Sequence, residues 1–154
     1  MPAKIDLKDF HWLLDIVQCM DVGVVVLDRQ FRVEVWNGFM ENHSCLGPDR
    51  VNGRNLFELF PEIDQTWLRR KVETVLELGT RAFSLWEQRP YLLRFENYRP
   101  ITGEEDFMYQ NVTFLPLATA GGKSERVCLV IYDVTEVARL KKRLDASCAG
   151  NFNR

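Results

Sequence analysis

Residues 127 to 144 constrain the fold most, because they predict a buried strand that continues directly into an exposed helix. Val127 to Tyr132 are apolar on both sides, which is typical of a strand whose two faces are covered. Asp133 stands where a helix N-cap is expected, and Glu136 follows three residues later, as in an acidic form of the capping box. The sequence therefore predicts a helix that begins where the last strand ends.

A narrow apolar stripe runs along this helix among basic residues. The stripe residues are Val137, Leu140 and Leu144, and the basic residues between them are Arg139, Lys141, Lys142 and Arg143. A stripe of this width is typical of a helix that pairs with one partner helix and passes a change onward. The alternative is an ordinary terminal helix that folds back on its own core.

Length, charge and cysteine usage exclude several classes of protein. A chain of 154 residues is sized for one domain and can bury a core without disulfides. The net charge of -2 gives no argument for nucleic acid or an anionic membrane, and no apolar run approaches the roughly 20 residues of a membrane span. The N-terminus shows no signal-peptide core, and the four cysteines are widely spaced. We therefore expect a cytoplasmic protein with free thiols and no nucleic-acid or membrane partner.

Residues 1–20 are predicted to form an amphipathic helix. Its apolar residues at helical spacing are Phe10, Leu13, Leu14, Val17 and Met20, and Trp12 and Ile16 widen the apolar face. A face this wide needs cover on more than one side, from its own domain or from a second copy. We expect Phe10, Leu13, Leu14 and Val17 to form a homodimer interface, together with one face of the sheet.

Residues 21–133 are predicted to form the core of the domain, with strands at both ends and helices between them. In chain order we predict strands 22–28 and 32–36, helical pieces 39–46 and 56–60, a long helix from Asp64 to Gly79, and strands 82–87, 91–99, 107–117 and 127–132. Helices clustered between two groups of strands favour an α+β domain with an antiparallel sheet.

Three motifs, in this order along the chain, resemble the PAS sensor family. They are Trp36-Asn37 at the end of the hairpin, Asn-Leu-Phe-Glu-Leu-Phe-Pro at residues 55–61, and Tyr-Asp-Val-Thr-Glu at residues 132–136. The resemblance covers about residues 20 to 136. The segments WNGFMENHS, LFELFPEID and YRPITG are in addition similar to PAS modules that precede bacterial diguanylate cyclases.

The resemblance implies a five-stranded antiparallel sheet, with short helices that close over one face as a cavity and flanking helices that carry the signal. The expected ligand-binding residues are Phe39, Leu56, Leu59, Leu76, Phe95, Asn97, Gln110, Val112 and Ile131. Residues 134–154 are expected to be the signalling helix and tail. The expected relay residues are Asp133, Glu136, Val137, Leu140 and Leu144.

The identity of a cofactor stays open at the level of sequence. Leu56 stands where the light-sensing branch of the family has its reactive cysteine, so we expect no cysteinyl-flavin adduct. Asn97 and Gln110 match amide positions of that branch, so a flavin bound without a covalent bond, or a small metabolite, is possible; alternatively, the amides satisfy buried backbone groups. Haem is unlikely because neither His11 nor His43 lies on the long helix. No cluster has the spacing of metal ligands.

The sequence favours a sensor over an enzyme. Gly121-Gly122-Lys123 lacks the other residues and the helix of a phosphate-binding loop, and no nucleophile motif is present. We expect a non-catalytic sensory and dimerisation module that passes a change induced by a ligand or partner to an output, fused or acting in trans, such as a diguanylate cyclase. One alternative is a ligandless protein–protein interaction module, and the other is a flavin or haem sensor of redox state or gas.

Overall fold

A five-stranded antiparallel sheet organises the computed structural model, which describes residues 7–96 and 107–151. Its strands are β1 (Gly23–Asp28), β2 (Val33–Trp36), β3 (Ala82–Ser84), β4 (Gln110–Ala118) and β5 (Ser124–Asp133). Their order across the sheet is β2-β1-β5-β4-β3, so the last strand lies in the centre. Each neighbouring pair is antiparallel, which confirms the predicted α+β class.

Four helices between β2 and β3 pack on one face of this sheet, called the inner face. They are α2 (Gly38–Ser44), α3 (Pro48–Val51), α4 (Leu56–Leu59) and α5 (Gln65–Leu78), and the chain also has α1 (Leu7–Cys19) and α6 (Thr135–Asn151). Apolar side chains from α2 to α5 form one continuous core with those of the inner face. The central strand contributes Val127, Leu129 and Ile131 to this core.

Local chemistry sets the ends of these helices, at Asp64 and Gly79 as predicted and within two residues of the predicted bounds for α2 and α4. The side chains of Asn37, Asn55 and Asp64 accept hydrogen bonds from the first turns of α2, α4 and α5. Gly79 ends α5 in the left-handed conformation, with φ of 62°. The short helix α3 is not among the predicted elements. Pro48 lies in its first turn, where proline is well tolerated.

The predicted strand at residues 91–99 is wrong over its described part. Residues 91–96 are irregular. Within the described residues, their strand-like pairing is limited to an isolated bridge between Glu96 and Phe107. The backbone N–H groups of Leu92 and Leu93 instead donate to the side chain of Gln110. Residues 97–99 lie outside the described residues. The predicted strand 82–87 is shorter than expected, because the chain turns after Ser84.

The two faces of the central strand differ more than the sequence suggested. Val127, Leu129 and Ile131 are buried on the inner face, as predicted. On the outer face Cys128 is buried, but Tyr132 is 42% exposed, so the expectation that both faces are covered is wrong at this position. Phe83 and Leu117 are exposed as well. An apolar area on the outer face of the sheet is therefore open to solvent in the single chain.

Candidate functional site

The described residues predicted to bind a ligand meet on the inner face. Phe39, Leu56, Leu76, Phe95, Val112 and Ile131 all belong to the one buried core, and Leu59 packs against it. Asn97 lies outside the described residues. Six different segments from α2 to β5 supply these side chains, so the structure gathers a set that is scattered along the sequence. Binding of a ligand by this set stays a prediction.

Gln110 is the polar centre of this face and is 1% exposed. Its side-chain oxygen Oε1 accepts hydrogen bonds from Leu92 N at 3.0 Å and Leu93 N at 3.2 Å. Its Nε2 donates to Leu93 O at 2.7 Å. The amide thus supplies partners to a buried irregular segment, which is the alternative that the sequence left open. A ligand that used this amide would have to replace these backbone partners.

His43 packs against aromatic rings of the inner face and lies within electrostatic reach of Asp133 at the end of β5. Its ring lies 4.3 Å from Phe39 and 5.9 Å from Phe95, between centroids, and it is half-buried. Burial lowers the pKa of His43, and the nearby carboxylates of Asp133 and Asp21 act in the opposite direction. From the sequence, His43 was expected to be a surface residue rather than a haem ligand, and its half-buried position against Phe39 and Phe95 was not predicted. The signal for its packing was its position four residues after Phe39, on the same face of α2.

The exit of the central strand is tied to Tyr109, the residue before β4, by two hydrogen bonds, and Asp133 supports one of them. Asp133 Oδ1 accepts from the Thr135 hydroxyl at 2.6 Å, and the same hydroxyl oxygen accepts from Tyr109 N at 3.0 Å. Val134 N donates to Tyr109 O at 2.9 Å. Tyr109 immediately precedes Gln110, so one short piece of chain carries both the inner-face amide and the junction to α6.

The predicted capping box at this junction is wrong by one residue. The first helical hydrogen bond runs from Ala138 N to Val134 O, so Val134 is the cap residue and Asp133 precedes it. The carboxylate of Asp133 accepts from Thr135 N at 3.0 Å as well as from its hydroxyl. Asp133 therefore stabilises the start of α6, but through Thr135 rather than through a reciprocal pair with Glu136.

Helix α6 presents two different faces. Ala138 is fully buried against the domain, whereas Val137, Leu140 and Leu144 are 59%, 50% and 66% exposed. At about 100° per residue, the centre of this stripe lies about a third of a turn from Ala138. The helix thus docks on its own domain without using the stripe, which leaves the stripe available to a partner helix.

Helix α1 is anchored at its C-terminal end and apolar along its surface. Asn37 Nδ2 donates to Val17 O at 2.9 Å and to Val22 O at 2.8 Å, and its Oδ1 accepts from Val24 N at 3.0 Å. The predicted interface residues Phe10, Leu13 and Leu14 are exposed, and Val17 is half-buried. Trp12, Ile16 and Met20 are exposed too. Pairing through this helix stays a prediction.

Within residues 7–96 and 107–151, no helix combines the length and apolar character that a membrane span requires. In the same part of the chain, no three histidine, cysteine or acidic side chains are grouped so that they could hold a metal ion.

Comparisons with known proteins identify the family. The family model described as the PAS fold matches residues 19–139. A sensory box sensor histidine kinase from Vibrio cholerae is 30% identical with a TM-score of 0.60, over 83% of this chain and 94% of that one. No curated protein matches this chain.

Two more distant structures share the fold alone. A PAS domain from Colwellia psychrerythraea is 12% identical with a TM-score of 0.61, over 82% of this chain and 98% of that one. An RNA-binding light-oxygen-voltage receptor is 16% identical with a TM-score of 0.65, over 97% of this chain and 40% of that one. The family model spans most of the sequence, and four helices cover one face of a sheet of order β2-β1-β5-β4-β3. The chain therefore belongs to the PAS fold family.

Proposed function

We propose that this chain is a non-catalytic sensory module that dimerises and transmits a change through α6 to an output. The observation that carries the proposal is the exposed stripe of α6, on a helix whose start is hydrogen-bonded to β4 and continuous with β5. The similarity to the sensory box of a histidine kinase supports a signalling role. The output, fused or in trans, would then be a histidine kinase or, as the sequence motifs suggest, a diguanylate cyclase.

The relay would begin at the inner face. A change in packing there shifts the amide of Gln110, and the adjacent Tyr109 moves with it. Because Tyr109 binds both Val134 and Thr135, such a shift alters the angle at which α6 leaves the sheet. A difference of a few kcal/mol between two arrangements of a helix pair is enough to change their populations about tenfold or more.

The relay is tested by Asp133→Ala and Glu136→Ala in a fusion to an output domain. We expect Asp133→Ala to reduce the response of the output while the circular dichroism spectrum stays unchanged, because the start of α6 loses its tie to Thr135. The proposed role of Glu136 predicts the same uncoupling. Unchanged signalling in both variants would contradict the relay.

Pairing of α6 is tested with Cys148, which is exposed near the end of this helix. In a Cys19→Ser/Cys45→Ser background, mild oxidation is expected to link two chains through Cys148, because parallel pairing brings the two thiols to the same level. Leu140→Glu should abolish the cross-link by placing a charge in the stripe. Ala146→Glu is the matched control, since it adds the same charge on the opposite side of α6. A cross-link that survives Leu140→Glu would argue against pairing through the stripe.

The ligand of the inner face is proposed to be a small metabolite or a flavin held without a covalent bond. Leu56 is buried and carries no thiol, so a cysteinyl adduct is not expected at that place. An absorption spectrum of the purified protein separates the cases: bands near roughly 450 nm indicate flavin, and a strong band near roughly 400 nm indicates haem. Mass spectrometry of the material released on denaturation identifies a colourless metabolite.

A ligandless interaction module is the second candidate function. The observation in its favour is that the amide of Gln110 is engaged by backbone groups and that the surrounding side chains belong to a continuous core. In that case the inner face is a structural core, and a partner protein acts on α1, α6 or the outer face. If protein purified without denaturant carries no small molecule, that result favours this candidate.

A further inference from the structure

Residues Leu85–Arg89, here called the strap, form one tight turn between β3 and the irregular segment that follows. The backbone N–H groups of Gln88 and Arg89 both donate to Leu85 O at 3.0 Å. Trp86 N donates to Asn111 Oδ1 on β4 at 2.9 Å. The turn is thus held by internal hydrogen bonds and attached to a neighbouring strand, so we expect its two ends to move together.

One end of the strap contacts the beginning of α5. The Arg89 guanidinium lies 4.1 Å from the ring centroid of Trp67 and donates from Nη2 to Asp64 Oδ2 at 3.2 Å. The other oxygen of the same carboxylate, Asp64 Oδ1, accepts from Trp67 N at 3.1 Å and caps the helix. Hydrogen bonds from Trp67 and Arg89 hold the pKa of Asp64 below its usual value.

The other end contacts α6. Glu87 Oε2 lies 2.7 Å from Lys141 Nζ, and the same ammonium lies 5.9 Å from the ring centroid of Trp86. The ring of Trp86 meets that of Tyr109 edge to face, with centroids 5.5 Å apart. Lys142 lies over the Tyr109 ring at 4.5 Å. Two successive lysines therefore hold the docked face of α6 on the strap and on Tyr109, the residue that precedes β4.

We propose that the strap couples the position of α5 to the docking of α6, along a route separate from the central strand. Helix α5 lies over the inner face through Leu68, Val72 and Leu76, so a change there moves Asp64 and Trp67. The strap transmits that movement to Lys141. In one state α6 is docked on the strap, and in the other it is released. Contacts at both ends of the strap shift the equilibrium between these two states. The biological meaning of the coupling rests on the proposed relay through α6.

The strength of these contacts suits a switch rather than a permanent anchor. Both ion pairs are between partly exposed side chains, so each contributes little alone. Loss of one pair is therefore expected to change the docked population of α6 by about two- to fivefold. An anchor built from buried charges would instead release α6 only on unfolding.

The test measures hydrogen exchange of the α6 amides in the whole chain. Every variant also carries Leu140→Glu, which is expected to prevent pairing of α6, so that exchange reports docking alone. Asp64→Asn keeps a side chain that caps α5 but removes the charge that holds Arg89. We expect it to raise exchange in the first turns of α6 about two- to fivefold. Glu73→Gln, which removes a charge elsewhere on α5, is the matched control and should leave α6 exchange unchanged.

A double-mutant cycle then separates coupling from two local effects. Asp64 contacts one end of the strap, and Lys141 contacts the other. The proposal requires no direct bond between Asp64 and Lys141. If the strap couples them, Asp64→Asn adds little to α6 exchange once Lys141→Gln has broken the other end. Multiplicative effects of the two changes, or no effect of Asp64→Asn on α6, would overturn the proposal.

Arg89→Gln repeats the test from the strap side and leaves the cap of α5 untouched. The exchange experiment measures docking of α6, whereas the Cys148 cross-link measures its pairing. If exchange shows no coupling through the strap, the cross-linking result is unaffected. If no cross-link forms, the exchange result can still be interpreted.

Discussion

At the scale of single residues, a few polar side chains hold together segments that are far apart in the chain. Asn37 connects the end of α1, the start of β1 and the first turn of α2. Gln110 holds an irregular segment against β4, and Thr135 links β4 to α6. A buried polar group stabilises a fold mainly because its loss leaves its partners without hydrogen bonds.

Gln110→Met tests this argument at the centre of the inner face. Methionine keeps a similar volume but leaves the N–H groups of Leu92 and Leu93 without their acceptor. We expect the free energy of unfolding to fall by about 2–4 kcal/mol, measured by urea denaturation. Thr113→Val, on the outer side of the same strand, is the control and is expected to change stability by less than about 0.5 kcal/mol. Equal stability of both variants would show that the amide is not needed for packing.

His43→Phe tests the pH dependence of the fold. Because the pKa of His43 is lower in the folded chain than its usual value near 6.5, the unfolded chain binds more protons between the two values. Stability therefore falls as pH drops through the usual value of histidine. We expect denaturation midpoints of the natural chain to decrease between about pH 7 and pH 5, and His43→Phe to reduce that decrease. The depressed pKa values of Asp28 and Asp64 act at lower pH, below the usual aspartate value. An identical pH profile in the variant would assign the dependence to other groups.

At the scale of elements, the two terminal helices differ in how they are attached. Helix α6 is docked by Ala138 and by side chains near the strap, while α1 is held at its last turns by Asn37 and by close approach to α2. A methyl group added at Gly38 would lie 2.4 Å from the backbone oxygen of Gln18, which is closer than packing allows. This glycine therefore permits the contact between α1 and α2.

Gly38→Ala is expected to displace the end of α1 while the sheet stays intact. We expect faster amide exchange in the last turn of α1 and a loss of about 1–3 kcal/mol in the free energy of unfolding. Gly121→Ala is the control, because nothing lies within 4 Å of the added methyl group in the β4–β5 loop. Displacement confined to β1 and β2, with α1 unchanged, would contradict the assignment.

At the scale of the whole molecule, the described residues leave three apolar surfaces exposed on one chain: α1, the stripe of α6, and the outer face around Phe83 and Tyr132. Exposed apolar area of this extent is typical of a surface that contacts a partner. The proposed homodimer covers α1 and the sheet face, and pairing of α6 follows from the same arrangement.

Leu14→Glu tests the dimer, because Leu14 is 61% exposed and contributes little to the fold of one chain. We expect the mass from light scattering to fall from twice the 18.0 kDa of the chain to the mass of one chain. Lys8→Glu, on the opposite side of α1, is the control and should leave the dimer in place. Equal masses for the two variants would place the interface elsewhere.

Much of the fold was predictable because its signals are local. The caps at Asn37, Asn55 and Asp64 act within one helical turn, and Gly79 ends α5 through its own backbone conformation. The inner face of β4 was visible in the alternation of Met108, Gln110, Val112 and Phe114, all of which are buried. The strand predicted at residues 91–99 failed over residues 91–96, because the pattern of buried residues does not show where backbone hydrogen bonds go.

The sequence by itself determined the class of fold, the ends of the main helices, and which side chains face inward, since these depend on spacing and on neighbours within a few residues. The tertiary structure decided the partners of Gln110, the one-residue shift at Asp133, and the contacts of the strap. Glu87 and Lys141 are 54 residues apart in the chain, and such a pair forms only because the folded chain brings the strap and α6 together. Long-range partners depend on the position of whole elements, which no local pattern encodes.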